Sequence, residues 1–194
     1  MKRKSLLLIP LVIACGVFLF AAWQLFRAYR SAPAAQDLPD AAAVARTVEE
    51  ALPQRFPGVL EDRSDDAMPA LSVDGLDVIA LLELPEKGVK LPVGDLQSDP
   101  GLLYRPARYS GTVYDGSLTI AGVSVPGQLD MMAALAGGEH LNLTDMTGEL
   151  FTFTVQRVRR VTQLDNDTLA SFGADLIWFA EDSGVWFVVC CIMG

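Results

Sequence analysis

The sequence predicts a mostly β protein: a closed or nearly closed β-barrel of about eight strands with two or three short helices, preceded by one N-terminal transmembrane helix. Three observations carry this reading. Short apolar runs separated by turn residues recur at regular intervals from Val78 to the end of the chain. Ser117-Leu118-Thr119-Ile120-Ala121 alternates polar and apolar, the period of a strand with one buried face. The chain starts with a long apolar run that carries no charge.

Met1-Lys2-Arg3-Lys4 is a cationic lead, and Ser5 to Phe26 follows as 22 residues without a charge. As a helix this run spans about 33 Å, enough for a hydrocarbon core of about 30 Å. Lys2, Arg3 and Lys4 outweigh Arg27 and Arg30, so the positive-inside rule places the N-terminus in the cytoplasm and the rest of the chain outside it. Two other readings compete with an uncleaved single-pass anchor: a cleaved signal, and a lipoprotein signal ending at Cys15. Against both, the apolar run continues through Ala22, past the end of a signal core of about 7–15 residues. All three readings put the domain outside the cytoplasm.

The expected organisation is a lead and anchor over residues 1–30, an acidic Ala/Pro-rich tether over 31–70, and a β-barrel domain over 71–194. Within the tether, Val44, Val48 and Leu52 at four-residue spacing predict a short helix from Ala41 to Leu52, stopped by Pro53. Gln54 to Pro69 mixes proline, glycine and acidic residues and reads as solvated chain. Val78–Leu84 and Lys87–Val93 read as strands, Gly101–Tyr104 as a helical turn, and Arg105–Tyr109 as irregular, since the residue before proline avoids helix. Leu129, Met132 and Leu135 line one side of a short helix that Gly137-Gly138 ends. His140–Leu143 and Leu150–Val161 form a hairpin about Thr144–Gly148; Asp165–Phe172 is a short helix; Asp175–Ala180 and Val185–Ile192 form a second hairpin about Glu181–Gly184.

Composition narrows the function. The formal charge is −9, with five basic and no acidic side chains in residues 1–30, so the part outside the anchor is strongly acidic and lacks the basic groove that nucleic acid demands. The single histidine, His140, restricts acid–base chemistry, and no cysteine spacing suits zinc, so no metal and no cofactor is expected. Cys190 and Cys191 are adjacent, and neighbours on a strand face opposite ways, so two thiols rather than a disulfide are expected.

Leu91-Pro92-Val93, Leu103, Arg108-Tyr109-Ser110-Gly111-Thr112, Leu118-Thr119-Ile120-Ala121-Gly122, Gly138-Glu139-His140-Leu141, Thr144-Asp145, Gly148, Phe153-Thr154-Val155 and Asp175-Leu176 occur in one order between Asp74 and Cys191. In residues and spacing this stretch resembles the sortases, most closely the class B-like sortases. The resemblance implies a cysteine transpeptidase: a thiolate attacks a threonine–glycine bond in a cell-wall sorting signal, a histidine manages protons, an arginine stabilises the oxyanion, and an amine resolves the thioester. Carried over slot by slot, the histidine falls on Val123, the cysteine on Glu181 and the arginine at Trp186, with no arginine beyond Arg160. Valine exchanges no proton, glutamate is a poor acyl nucleophile, and tryptophan carries no charge.

The expectation is therefore a catalytically inactive pseudo-sortase, anchored through residues 5–26, that serves as a binding or accessory module for a cell-surface protein or a sorting-signal-like peptide. Val123 and Trp186 are expected to pack together and partly fill the cleft. The alternative is an active transpeptidase that uses Cys190 as nucleophile and His140 as base. Arg157, Arg159 and Arg160 form a basic cluster, read as a solvated strand face before an anion site. Asp145 suits turn chemistry, and Glu181-Asp182 is weighed as a cation site and found short of ligands.

Overall fold

The computed structural model of the chain describes residues 41–61, 67–73, 75–96, 105–122 and 126–194. The expected membrane span Ser5–Phe26, the helical turn at Gly101–Tyr104 and the slot residue Val123 lie outside these. Among the described residues no helix is long and apolar enough to cross a membrane.

The strands are β1 (Phe56–Pro57), β2 (Leu71–Val73), β3 (Leu76–Leu84), β4 (Val89–Asp95), β5 (Ala107–Ser110), β6 (Leu118–Ala121), β7 (His140–Asp145), β8 (Glu149–Val161), β9 (Leu176–Asp182) and β10 (Val185–Met193). Eight of them close into a barrel in the order β8–β10–β9–β6–β5–β4–β3–β7, with β7 pairing back onto β8. Closure leaves no unpaired edge in the ring. β1 adds to β8 in parallel and β2 adds to β3 antiparallel. Among the described residues three α-helices accompany the sheet: α1 (Ala41–Ala51), α2 (Pro126–Ala133) and α3 (Asn166–Ser171).

The alternation read from the sequence fills the barrel. On β8, Phe151, Phe153 and Val155 point inward between half-buried Thr152 and Thr154. They meet Leu82, Leu118, Ile120, Leu141, Leu143 and Trp178 in one core. Burying an aromatic such as Trp178 contributes about 2–3 kcal/mol from area alone. Met132 joins this core from α2 with Leu129 packed at its edge, while Leu135 reaches it from beyond the helix, which ends at Ala133 rather than at Gly137-Gly138.

Three expectations need correction. The tether is not free chain over its described part: Val44, Ala45 and Val48 of α1 pack on Val73, Val78 and Leu81, and β1 pairs with β8. Arg55 and Lys90 both reach the buried carboxylate of Glu83, and Lys90 also pairs with Glu49 on α1, so charge and apolar contact together hold the segment against β3 and β4. Second, Ala107–Ser110 is a strand rather than irregular chain, because Ala107 registers with Gly94 and Arg108 pairs with Asp95 just after Pro106. Third, β6 is buried on both faces: Leu118 and Ile120 face the core, while Thr119 lies on the outer face that α3 flanks.

Candidate functional site

The outer face of the β6–β9–β10 sheet carries Glu181 and Trp186. β6 and β9 run parallel, from Leu118 opposite Leu176 to Ala121 opposite Phe179. β9 and β10 form a hairpin in which Glu181 pairs directly with Trp186 and Asp182 with Val185. The turn residues Ser183 and Gly184 both have positive φ, 52° and 83°, as a tight two-residue hairpin turn requires. Residues two apart on a strand share a face, so Ile177, Phe179 and Glu181 line up on β9 with Trp186 alongside.

Glu181 and Trp186 are thus facing neighbours at one end of the barrel. The Glu181 carboxylate is exposed and accepts the Gly184 backbone N–H at 2.8 Å, which ties it to the turn. Trp186 stacks edge-on against Phe179 at 5.7 Å, and Phe179 does the same with Tyr109 of β5 at 5.4 Å. The ring contact of Trp186 is therefore with Phe179. Val123 and its expected contact with Trp186 fall outside the described residues, but Gly122 before it donates to the Phe179 carbonyl at 2.5 Å, so the end of β6 runs alongside β9. A Cβ on Gly122 would sit 2.8 Å from Trp178 Nε1 and 3.0 Å from that carbonyl, so glycine is needed for this approach.

Next to the aromatic row lies a groove of about 530 Å³ between α3 and strands β5 and β6. Tyr109, Ser117, Thr119, Asn166, Leu169 and Ile177 are among its lining, and none of the described lining residues is acidic or basic. Hydroxyls and an amide thus surround a small apolar floor, a neutral surface suited to an uncharged, extended ligand. Sequence reasoning placed Thr119 on its strand and Asn166 on its helix and missed the groove, which needs residues far apart in the chain.

Of the remaining candidates, Cys190 is buried on this same sheet face and the others sit elsewhere. Cys190 and Cys191 are both free and fully buried, on opposite sides of β10: Cys190 under α3 with Leu169, Ile177 and Val188, Cys191 in the barrel core. Burial pushes the Cys190 thiol up, against an opposing pull from Arg157 and Arg159, and burial pushes Cys191 up strongly. His140 starts β7 and its Nδ1 lies 2.8 Å from Glu86, on a strand that pairs with β3 and β8 and not with β6, β9 or β10. Arg159 and Arg160 are exposed, Arg160 over the Phe187 ring, but Arg157 departs from the solvated-face expectation and donates to the Phe172 carbonyl at 2.7 Å. Asp145 is buried and accepts from Thr147 N, Thr147 Oγ1, Glu149 N and Tyr114 Oη, turn chemistry as predicted. Glu181 and Asp182, adjacent on a strand, face opposite ways, and no group of three or more potential metal ligands occurs among the described residues.

No protein-family profile matches the chain, and no curated protein matches it. Among solved structures it is similar to sortase A from Corynebacterium diphtheriae, at 15% identity over 90% of this chain and 91% of that chain, with a TM-score of 0.51. A lid mutant of sortase A from the same organism gives 16% identity over 60% and 70% of the two chains, with a TM-score of 0.50. Sortase E from Streptomyces avermitilis gives 17% identity over 60% and 88%, with a TM-score of 0.49. The two sortase A likenesses show a sortase-like fold.

Proposed function

We propose that this chain is a membrane-anchored, catalytically inactive sortase-fold module of the class B-like type, displayed outside the cytoplasm, that binds a sorting-signal-like peptide or a cell-surface protein. One observation carries the reading: Glu181 and Trp186 face each other at the strand ends where the resemblance asks for a thiol and a guanidinium, on the same sheet face as a groove that begins at the other end of β6 and β9. Glutamate adds negative charge where an acyl-transfer oxyanion would develop, and indole offers no positive charge to offset it. Val123, carried over by the same resemblance, supplies no proton acceptor. Burial pushes the Cys190 thiol up, against an opposing pull from Arg157 and Arg159, and so disfavours the thiolate that an acyl nucleophile needs. Anchoring through Ser5–Phe26 would hold the module at the membrane, where secreted envelope proteins pass.

The test is incubation of the full chain with a sorting-signal peptide and an amine nucleophile, followed by mass spectrometry. The peptide is expected to be retained uncleaved. Turnover that disappears in Cys190→Ala would overturn the proposal in favour of an active transpeptidase.

A further inference from the structure

Helix α3 is fastened to the barrel differently at its two ends. At its C-terminal end the Arg157 guanidinium donates to the Phe172 carbonyl at 2.7 Å, and Gly173 follows with φ of 57° and open space around it. Along its underside Leu169 packs on Ile177, Phe179 and Val188. At its N-terminal end the Asp165 carboxylate is spent inside the helix, on Thr168 N and Thr168 Oγ1. Among the described residues, one side-chain hydrogen bond ties that end to the barrel: the Tyr109 hydroxyl donates to Asn166 Oδ1 at 3.1 Å.

Tyr109 and Asn166 also line opposite walls of the groove, one on β5 and the other on α3, and the bond between them is exposed to water. Beneath it the floor carries Thr119, itself buried, and Ile177. We infer that the Tyr109–Asn166 hydrogen bond is a latch across the groove, and that α3 swings about its Gly173 end to admit a ligand. A single exposed hydrogen bond between neutral groups is weak enough to open readily and directional enough to define a closed state. The aromatic contact between Tyr109 and Phe179 keeps the tyrosine ring in place when the latch opens, so the moving part is the helix. This inference rests on the groove being the binding site of the proposed module.

Amide hydrogen exchange of the full chain tests the latch without any ligand. Tyr109→Phe and Asn166→Ala are each expected to speed exchange across residues 166–171 about three- to tenfold, the loss of one exposed hydrogen bond. The double variant should exchange no faster than the faster single one, because both remove the same bond. Asn166→Asp, whose carboxylate still accepts from the tyrosine hydroxyl, should stay at the wild-type rate. Exchange across β9 and β10 should not change in any of them. Unchanged exchange in α3 of Tyr109→Phe, or an equal rise in β9 and β10, overturns the latch. In a second arm a sorting-signal-like peptide should associate faster with Tyr109→Phe by a similar factor. If α3 responds as expected and the peptide binds neither protein, the latch stands and the peptide-binding reading falls.

Discussion

Glu181, which the proposal places in the slot of the sortase cysteine, has a purpose of its own. Its carboxylate accepts the Gly184 N–H and so stabilises a two-residue turn, while Trp186 opposite it is committed to Phe179. Placing His at 123, Cys at 181 and Arg at 186 together is therefore expected to leave the chain without full transpeptidase activity. It should also lower unfolding stability by about 1–4 kcal/mol, through the lost aromatic contact and the lost turn bond. Denaturant unfolding of the triple variant checks this, and full turnover with unchanged stability would contradict it. The buried thiols give a second residue-scale prediction. In a Cys15→Ala variant of the full chain, Cys191, in the barrel core, should resist a thiol reagent at pH 8 until the protein unfolds, whereas Cys190, beneath α3, should label through local opening of that helix. Rapid labelling of Cys191 in the native state would contradict its placement.

At the scale of elements, α1 changes the expected domain boundary. Its Val44, Ala45 and Val48 cover Val73, Val78 and Leu81, so a fragment starting at residue 71 exposes that patch and should be less stable than one starting at residue 41. Val48→Asp, which buries an unpaired carboxylate, should cost about 2–4 kcal/mol in thermal or denaturant unfolding. Limited proteolysis of the native chain should leave residues 41–61 intact. The helix itself was legible, because Val44, Val48 and Leu52 repeat every four residues. Its docking was not, because the face that it covers lies on β2 and β3, and the charges that hold it pair Arg55 with Glu83 across 28 residues. The same limit explains β6: alternation gave its inward face correctly, whereas α3, some fifty positions away in sequence, flanks the outer one. β5 was missed because Pro106 marks a local break, while the strand depends on distant Gly94 and Asp95. The hairpins were legible throughout, since turn residues and alternation are local signals.

For the whole molecule, the carboxylates set the response to acid. Hydrogen bonds from Lys90 hold Glu49 below its usual range; the Ala136 N–H and then Lys87 do so for Glu139, and the Thr168 hydroxyl and N–H for Asp165. A lowered folded pKa means that the folded state binds fewer protons than the unfolded one, so this contribution is present above the unfolded value and lost as pH falls through the folded one. The melting temperature should therefore decline from about pH 4 downward. The raised thiols act at the other end: their contribution is present below about pH 8.5 and lost as pH rises beyond it. A melting temperature that rises on acidification below pH 4, a window set by ordinary carboxylate values, would contradict the carboxylate assignment. The central claim is the proposed one: that the groove on the outer face of β6, β9 and α3 of this sortase-like barrel binds a peptide without acyl transfer. Amide-exchange footprinting with a sorting-signal peptide tests it most directly. The account predicts protection across residues 109–119 and 166–177 with the peptide recovered uncleaved; protection confined to the α1 face, or cleavage of the peptide, would contradict it.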